Sequence, residues 1–156
     1  MAVLTNGSLL WLEDVRRQLL RADLVIPSLD AGSETMFQIV NRPHPQISFR
    51  QMLDGLVAFR QEFSGQYWLE LMFVRWYTTT PAEIGKLAEC VHRIQPDRIQ
   101  LNTVTRPPAE RDAVRISRER LAHFSSLFFR HCELSGQTNV TPEGTDAVFL
   151  HGRGLC

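Results

Sequence analysis

Short apolar runs alternate with amphipathic helical segments along most of this chain, and this alternation constrains its fold more than any other feature. The runs of strand length cover residues 2–5, 24–28, 68–74 and 98–102. A strict alternation of strand and helix is typical of a parallel sheet built from βαβ units. Because such crossovers are right-handed, the carboxyl ends of all four strands are expected at one edge.

The predicted helices have marked starting points. Ser48 and Thr80 are each followed three residues later by glutamine or glutamate, the pattern of a capping box, and Pro81 suits the first position of a helix. Further helices are predicted over residues 12–20 and after Ser117. We therefore expect an α/β fold, with helices covering one face of the sheet.

Composition places the chain among ordinary globular domains. It has 156 residues, of which 44% are hydrophobic and 22% are charged, enough for one domain with a single core. The formal net charge is zero, so no basic field favours nucleic acid or an anionic membrane surface. The start, MAVLTNGSLLW, lacks the features of a signal peptide, and no apolar run is long enough to span a bilayer. We expect a cytoplasmic protein.

Several common catalytic motifs are absent from the sequence. It contains neither a Gly-rich phosphate loop nor the G-x-S-x-G turn of serine hydrolases. The three cysteines, Cys90, Cys132 and Cys156, are far apart and form no C-x2-C pair, which argues against a disulfide framework or a zinc site. No metal ligand is predicted within the chain.

Polar side chains stand where the predicted strands end. Thr5 and Asn6 follow the first strand, Ser28 and Asp30 the second, and Asn102 ends the fourth. Ligands of parallel α/β folds bind outside the carboxyl ends of the strands, so these five residues form a candidate site. The alternative is that they only cap turns and helices.

Glu70 lies within the third predicted strand, on the face opposite to its Leu and Phe residues. If helices cover the Leu–Leu–Phe face, Glu70 points to the other side of the sheet, where a buried carboxylate needs a partner or a ligand. That partner could be an arginine such as Arg106, in the loop NTVTRPPAE (102–110). Glu70 and Arg106 are therefore candidate substrate-binding residues.

Five segments in order resemble the radical S-adenosylmethionine superfamily. They are LTNGSLLW (4–11), RADLVIPSLDAGSE (21–34), NRPHP (41–45), LDGLVAFRQEFSGQYWLELM (53–72) and PDRIQLNTVTRPPAE (96–110). Within that superfamily they are most similar to the Fe–S oxidoreductases related to wyosine-synthesising and pyruvate formate-lyase-activating-type enzymes. The resemblance covers about residues 3–130.

The resemblance implies an incomplete (β/α) barrel with helices on its outer face. Residues 134–156 lie outside the resemblance, and their Gly, Thr and Pro content predicts an irregular tail with one short strand near 147–150. Residues 1–133 are expected from the resemblance to supply about strands 3 to 6. It also implies that S-adenosylmethionine lies across the strand ends, with Thr5, Asn6, Ser28, Asp30 and Asn102 as contacts. A [4Fe–4S] cluster, held in the family by C-x3-C-x2-C, cleaves this cofactor reductively.

The chain departs from the family because it has no C-x3-C-x2-C segment. The resemblance therefore implies the C-terminal part of an oxidoreductase, truncated relative to the family and inert alone. Its first strand is expected to pair with a cluster-bearing N-terminal segment or with a second copy of the chain. The alternative is a non-enzymatic α/β module that uses the same groove to bind a small molecule or a partner. The substrate, small molecule or protein, is left open.

Overall fold

A computed structural model of the chain describes residues 1–73 and 78–103, and beyond them positions 117, 119–120, 122–124, 126, 138–139 and 148–151. The strands are β1 (Ala2–Thr5), β2 (Leu24–Pro27), β3 (Gln66–Phe73), β4 (Arg98–Thr103), β5 (Thr138–Asn139) and β6 (Val148–His151). The helices with defined bounds are α1 (Glu13–Leu19), α2 (Glu34–Val40), α3 (Phe49–Glu62) and α4 (Pro81–Ile94). Positions 119–120, 122–124 and 126 are also helical.

The strands form one sheet in the order β1-β2-β3-β4-β6-β5. The first four are parallel, which confirms the predicted α/β fold with an open, partial barrel-like sheet. β6 then runs antiparallel to β4, and β5 antiparallel to β6. The short strand expected near 147–150 is thus present, whereas β5 was not predicted.

The predicted caps organise α3 and α4. Ser48 and Gln51 form the expected capping box, with each side chain bonded to the other's backbone. Thr80 caps α4 by accepting a hydrogen bond from the backbone N–H of Glu83. α2 was not predicted; it begins after Ser33, whose hydroxyl accepts from the backbone N–H of Met36.

The two faces of β3 differ as predicted. Tyr67, Leu69, Leu71 and Phe73 are all buried and belong to the core shared with the helices. Burial of a large apolar side chain of this kind contributes about 1.5–3 kcal/mol. The alternate residues, Glu70 among them, are only partly buried on the other face. The helix-covered face therefore stabilises the fold, and the opposite face is available for a site.

No helix in the described part of the chain has both the length and the apolar character needed to cross a membrane.

α3 approaches the turn after β1 closely at Gly55. A Cβ atom added there would lie 2.6 Å from the carbonyl carbon of Leu10 and against the backbone nitrogen of Trp11. These are backbone atoms, so they cannot rotate away as a flexible side chain could. Gly55 therefore sets the distance between α3 and the turn.

The Gly55→Ala substitution should lower the free energy of unfolding by about 1–3 kcal/mol, because overpacking outweighs the usual helix preference for alanine. Urea denaturation followed by circular dichroism measures this change. The exposed Gln61 on the same helix offers a control, since Gln61→Ala should change stability by less than about 0.5 kcal/mol. A more stable Gly55→Ala variant would contradict the packing described.

Candidate functional site

The chain between β2 and α2 is shaped by Pro27. β2 pairs with β3 through Leu24 and Val25, and the pairing resumes only at an isolated bridge between Ser28 and Glu70. Proline has no N–H to donate to the ladder, which accounts for the interruption. The register is unchanged across the gap, so Ser28 is held directly beside Glu70.

Glu70 is the centre of a polar cluster on the partly buried face of the sheet. Its Oε2 accepts a hydrogen bond of 3.3 Å from the hydroxyl of Ser28 at the end of β2. Its Oε1 accepts from the side-chain amide of Asn102 near the end of β4. We call these three side chains, from three neighbouring strands, the Glu70 cluster.

Asp30 lies next to this cluster and extends the pairing of β2 with β3. Its Oδ1 accepts from the backbone N–H of Met72 at 3.3 Å, and its Oδ2 accepts from the side-chain amide of Asn41 at 3.1 Å. Burial raises the pKa of Asp30 to about 6, and the negative charge of Glu70 acts in the same direction. The site thus holds a carboxyl group that titrates only slightly below neutral pH.

A buried glutamate from α4 fixes the loop that follows Asp30. The Glu83 carboxylate accepts a 2.7 Å hydrogen bond from the backbone N–H of Gly32 and longer bonds from the hydroxyl of Ser33. A Cβ on Gly32 would lie 2.7 Å from the backbone nitrogen of Leu87, so only glycine fits here. The sequence predicted that Glu83 forms a capping box with Thr80 at the start of its own helix. Its carboxylate instead bonds to the loop between β2 and α2.

Thr5 and Asn6 make local contacts at the end of β1. The hydroxyl of Thr5 accepts from the backbone N–H of Gly7 at 3.2 Å. The side-chain oxygen of Asn6 accepts from the backbone N–H and the hydroxyl of Ser8, at 3.0 and 2.8 Å. These contacts stabilise the turn, and neither residue hydrogen-bonds to the Glu70 cluster in the described part of the chain. They lie on the same edge of the sheet as the cluster, as the strand order requires.

Arg106 lies outside the described residues, so its pairing with Glu70 stays a prediction. Cys132 and Cys156 lie outside them as well. Cys90 is buried within α4, and burial raises the pKa of its thiol to about 11. Among the residues that the structure describes, no three His, Cys, Asp or Glu side chains converge as metal ligands.

Beside the site is a pocket of about 320 Å³ between the turn after β1 and the loop after α2. It is lined by Asn6, Ser8, Phe37, Asn41, Arg42, Pro43, His44 and Ile47. Asn41 belongs both to this pocket and to the site, through its bond to Asp30. The sequence did not predict the role of Asn41, because Asn41 ends helix α2, which was itself not predicted. The polar segment NRPHP (41–45) was the only feature of the sequence that pointed to this region.

The side chains at the site offer several hydrogen-bond acceptors at one partly exposed edge. Two carboxylates and a hydroxyl can accept hydrogen bonds from hydroxyl or ammonium groups, while the Asn102 amide can also donate. Binding of a polyhydroxylated or cationic small molecule is the chemistry that these groups support best.

Comparison with solved structures shows what this fold is similar to. TYW1 with a lysine–pyruvate adduct bound matches 97% of the chain, with a TM-score of 0.72, 16% identity and 46% of the TYW1 chain covered. A radical SAM methyltransferase from Sphaerobacter thermophilus matches 83% of the chain, with a TM-score of 0.61, 15% identity and 37% of its own chain covered. A domain of a pyruvate-formate lyase-activating enzyme from Bacteroides vulgatus also matches 83%, with a TM-score of 0.62, 14% identity and 75% of that domain covered.

These likenesses show that the fold is the one found in radical SAM enzyme domains. No protein-family model matches the chain.

Sequence comparison finds longer relatives. The chain is 37% identical over 134 residues to a protein from Brachyspira hyodysenteriae called GTPase Obg, with 86% of this chain and 20% of that protein covered. It is 37% identical over 111 residues to a UPF0026 protein of Methanocaldococcus jannaschii, covering 71% of this chain and 35% of the relative. A UPF0026 protein of Synechocystis is also 37% identical, over 112 residues, covering 70% and 41%. The chain thus spans about one fifth to two fifths of these relatives.

The raised pKa of Asp30 predicts a pH dependence of stability. The unfolded chain loses the Asp30 proton near pH 4 and the folded protein near pH 6, so the folded state binds more protons between these values. The free energy of unfolding therefore falls as the pH rises from 4 to 6 and Asp30 loses its proton in the folded protein. Between these values, wild type should lose about 2–3 kcal/mol relative to Asp30→Asn.

Urea denaturation at intervals across this range, on both proteins, measures the difference, because titrating groups that do not interact with Asp30 contribute equally to each. The substitution also alters the hydrogen bond with the Asn41 amide at every pH, so the comparison uses the change with pH and not the absolute stability. Parallel pH profiles for the two proteins would show that Asp30 titrates normally.

Proposed function

We propose that this chain is the C-terminal part of a radical S-adenosylmethionine iron–sulfur oxidoreductase, and that its strand ends hold the cofactor and part of the substrate site. The observation that carries the proposal is the Glu70 cluster, in which side chains from β2, β3 and β4 converge at the edge where ligands of parallel α/β folds bind. The similarity of fold to radical SAM enzyme domains also supports ligand binding at this edge of the sheet.

The side chains at this edge suit S-adenosylmethionine. Its ribose hydroxyls and α-amino group are donors, for which Glu70, Asp30 and Ser28 provide acceptors. Its α-carboxylate and its adenine ring can form hydrogen bonds with amide groups, and Asn102 provides one such group. Glu70 was expected to contact substrate; because it bonds to Ser28 and Asn102, we now assign it to the cofactor together with them.

Each residue has a distinct task in this proposal. Glu70 and Asp30 orient hydroxyl or ammonium groups, and Ser28 and Asn102 fix the position of the Glu70 carboxylate. Thr5 and Asn6 shape the turn at the neighbouring strand end. When bound, S-adenosylmethionine supplies the hydrogen-abstracting chemistry of this enzyme class.

Neither the described cysteine, Cys90, nor the cysteine spacing of the sequence fits an iron–sulfur cluster. Cluster ligands are thiolates that must converge, whereas Cys90 is a buried thiol within α4 whose pKa is raised. The sequence also lacks C-x3-C-x2-C. We therefore propose that the chain alone does not cleave S-adenosylmethionine reductively and is inert.

The remaining part of the site is proposed to come from a cluster-bearing segment that pairs with β1. Among the described strands, β1 pairs only with β2, and Leu4 on it is 71% exposed. An open strand edge with apolar side chains is a template for a further strand. In the isolated chain, the same edge could pair with a second copy.

The name GTPase Obg gives no function to this chain. The match covers only 20% of that protein, and the sequence has no G-x-x-x-x-G-K-[ST] loop to cradle phosphates. Nucleotide hydrolysis is therefore not part of the proposal.

The first test is binding of S-adenosylmethionine to the 156-residue chain, measured by isothermal titration calorimetry. Glu70→Gln should weaken binding about tenfold or more, because hydrogen bonds to a charged acceptor contribute about 1.5–3 kcal/mol. The matched control is Glu89→Gln, since Glu89 is exposed on α4. Equal affinity of wild type and Glu70→Gln, or no binding by wild type, would contradict the assignment.

The second test concerns catalysis. The chain, incubated anaerobically with iron, sulfide, a strong reductant and S-adenosylmethionine, should form no 5′-deoxyadenosine above a protein-free control. Liquid chromatography with mass detection measures this product. Its formation would show that the chain assembles a working cluster and is not inert.

A further inference from the structure

Glu83 is a buried carboxylate to which the proposed function gives no role. It is the third residue of α4, it is 4% exposed, and it is the only charged residue that is buried among those the structure describes. Burying a carboxylate costs free energy unless hydrogen bonds replace those to water. The contacts that Glu83 makes instead of water contacts therefore indicate its role.

These contacts lie in the loop between β2 and α2. The carboxylate accepts a 2.7 Å hydrogen bond from the backbone N–H of Gly32 and bonds of 3.4 Å from the hydroxyl of Ser33. The same hydroxyl accepts from the backbone N–H of Met36 at the start of α2. The ammonium group of Lys86 lies 3.7 Å from Glu83 Oε2 as a counter-charge. Glu83 thus connects α4 to the loop and to the start of α2.

The loop packs tightly against α4. A Cβ atom on Gly32 would lie 2.7 Å from the backbone nitrogen of Leu87, so the backbone of the loop lies directly on the helix. The two residues that flank Asp30, which are Leu29 and Ala31, are fully buried in the core. Asp30 is therefore carried by a segment whose neighbours on both sides are fixed.

Two short hydrogen bonds hold the ends of the segment that carries Asp30. At its start, the backbone N–H of Leu29 donates to the carbonyl oxygen of Glu70 at 2.8 Å. At its far end, the backbone N–H of Gly32 donates to the Glu83 carboxylate at 2.7 Å. The side-chain bonds of Asp30 itself are longer, at 3.3 and 3.1 Å. The orientation of Asp30 therefore depends more on the two bonds that hold its segment.

We propose that Glu83 is a positioning residue of the cofactor site. It does not contact S-adenosylmethionine; its carboxylate holds the far end of the loop so that Asp30 faces the hydroxyl and ammonium groups of the cofactor. The inference rests on the proposed function, because it takes that cofactor as the ligand. The reach of the acceptor is decisive, since Gly32 needs an oxygen at hydrogen-bond distance and charge alone does not provide it.

Two conservative variants separate reach from charge. Glu83→Gln keeps an acceptor oxygen at the same reach and loses the charge, whereas Glu83→Asp keeps the charge on a shorter side chain. Isothermal titration calorimetry on the 156-residue chain measures binding of S-adenosylmethionine. Glu83→Asp should weaken binding about tenfold or more, and Glu83→Gln by less than about threefold. A loss in Glu83→Gln as large as that in Glu83→Asp would overturn the inference, because charge would then be the cause.

Titration of Asp30 gives a second measurement, which a general loss of stability does not change. The pKa of Asp30 is raised to about 6 by burial. In Glu83→Asp it should fall toward about 4, because the released loop exposes the carboxyl group to water, and in Glu83→Gln it should stay near the wild-type value. The ¹³C chemical shift of the Asp30 carboxyl carbon, followed by NMR without cofactor, measures this pKa. An unchanged pKa in Glu83→Asp would overturn the inference.

Val91→Ala is the matched control for destabilisation. Val91 is fully buried further along α4, and its truncation leaves a cavity in the core. This variant should leave both the affinity and the Asp30 titration unchanged, and an equal loss of affinity in Val91→Ala and Glu83→Asp would overturn the inference. No binding by wild type would contradict the proposed function. The Asp30 titration needs no cofactor, so it would still decide whether Glu83 positions Asp30.

Discussion

The candidate site depends on one carboxylate, that of Glu70, which joins three strands. Ser28 from β2 and Asn102 from β4 both donate to it. A partly buried carboxylate is costly without such donors, so the strands must keep their register. Glu70 pairs with Gln100, and Asn102 lies two residues further along β4 on the same face. A shift of one residue would turn either side chain to the helix-covered face and leave Glu70 without its partner.

A second set of contacts holds the chain between β2 and α2 over this edge. Pro27 interrupts the pairing with β3, and the Asp30 carboxylate then takes the place of a backbone acceptor for Met72. Further along, Gly32 is bound by Glu83 from α4. Two carboxylates, those of Asp30 and Glu83, therefore fix the position of this loop. This arrangement places Asn41 between Asp30 and the neighbouring pocket.

The sequence best predicted the features that follow from the local spacing of apolar and polar residues. Alternation along β3 predicted which face Glu70 occupies, and the alternation of strands with helices predicted that Ser28 and Asn102 share an edge. Long-range partners were less accessible. Glu83 matched a local capping pattern, yet its carboxylate bonds to Gly32, more than fifty residues earlier in the chain. α2 has only seven residues, too few for a clear apolar period, and so the contact of Asn41 with Asp30 could not be foreseen.

The Glu70 cluster and Asp30 are proposed to form the binding site for S-adenosylmethionine. A crystal structure of the chain grown with this molecule tests it most directly. The expected result is ligand density over the carboxyl ends of β2, β3 and β4, with ribose hydroxyl or amino groups within hydrogen-bond distance of Glu70 or Asp30. Ligand bound away from these strand ends, or an edge that stays free of ligand at saturating concentration, would contradict it.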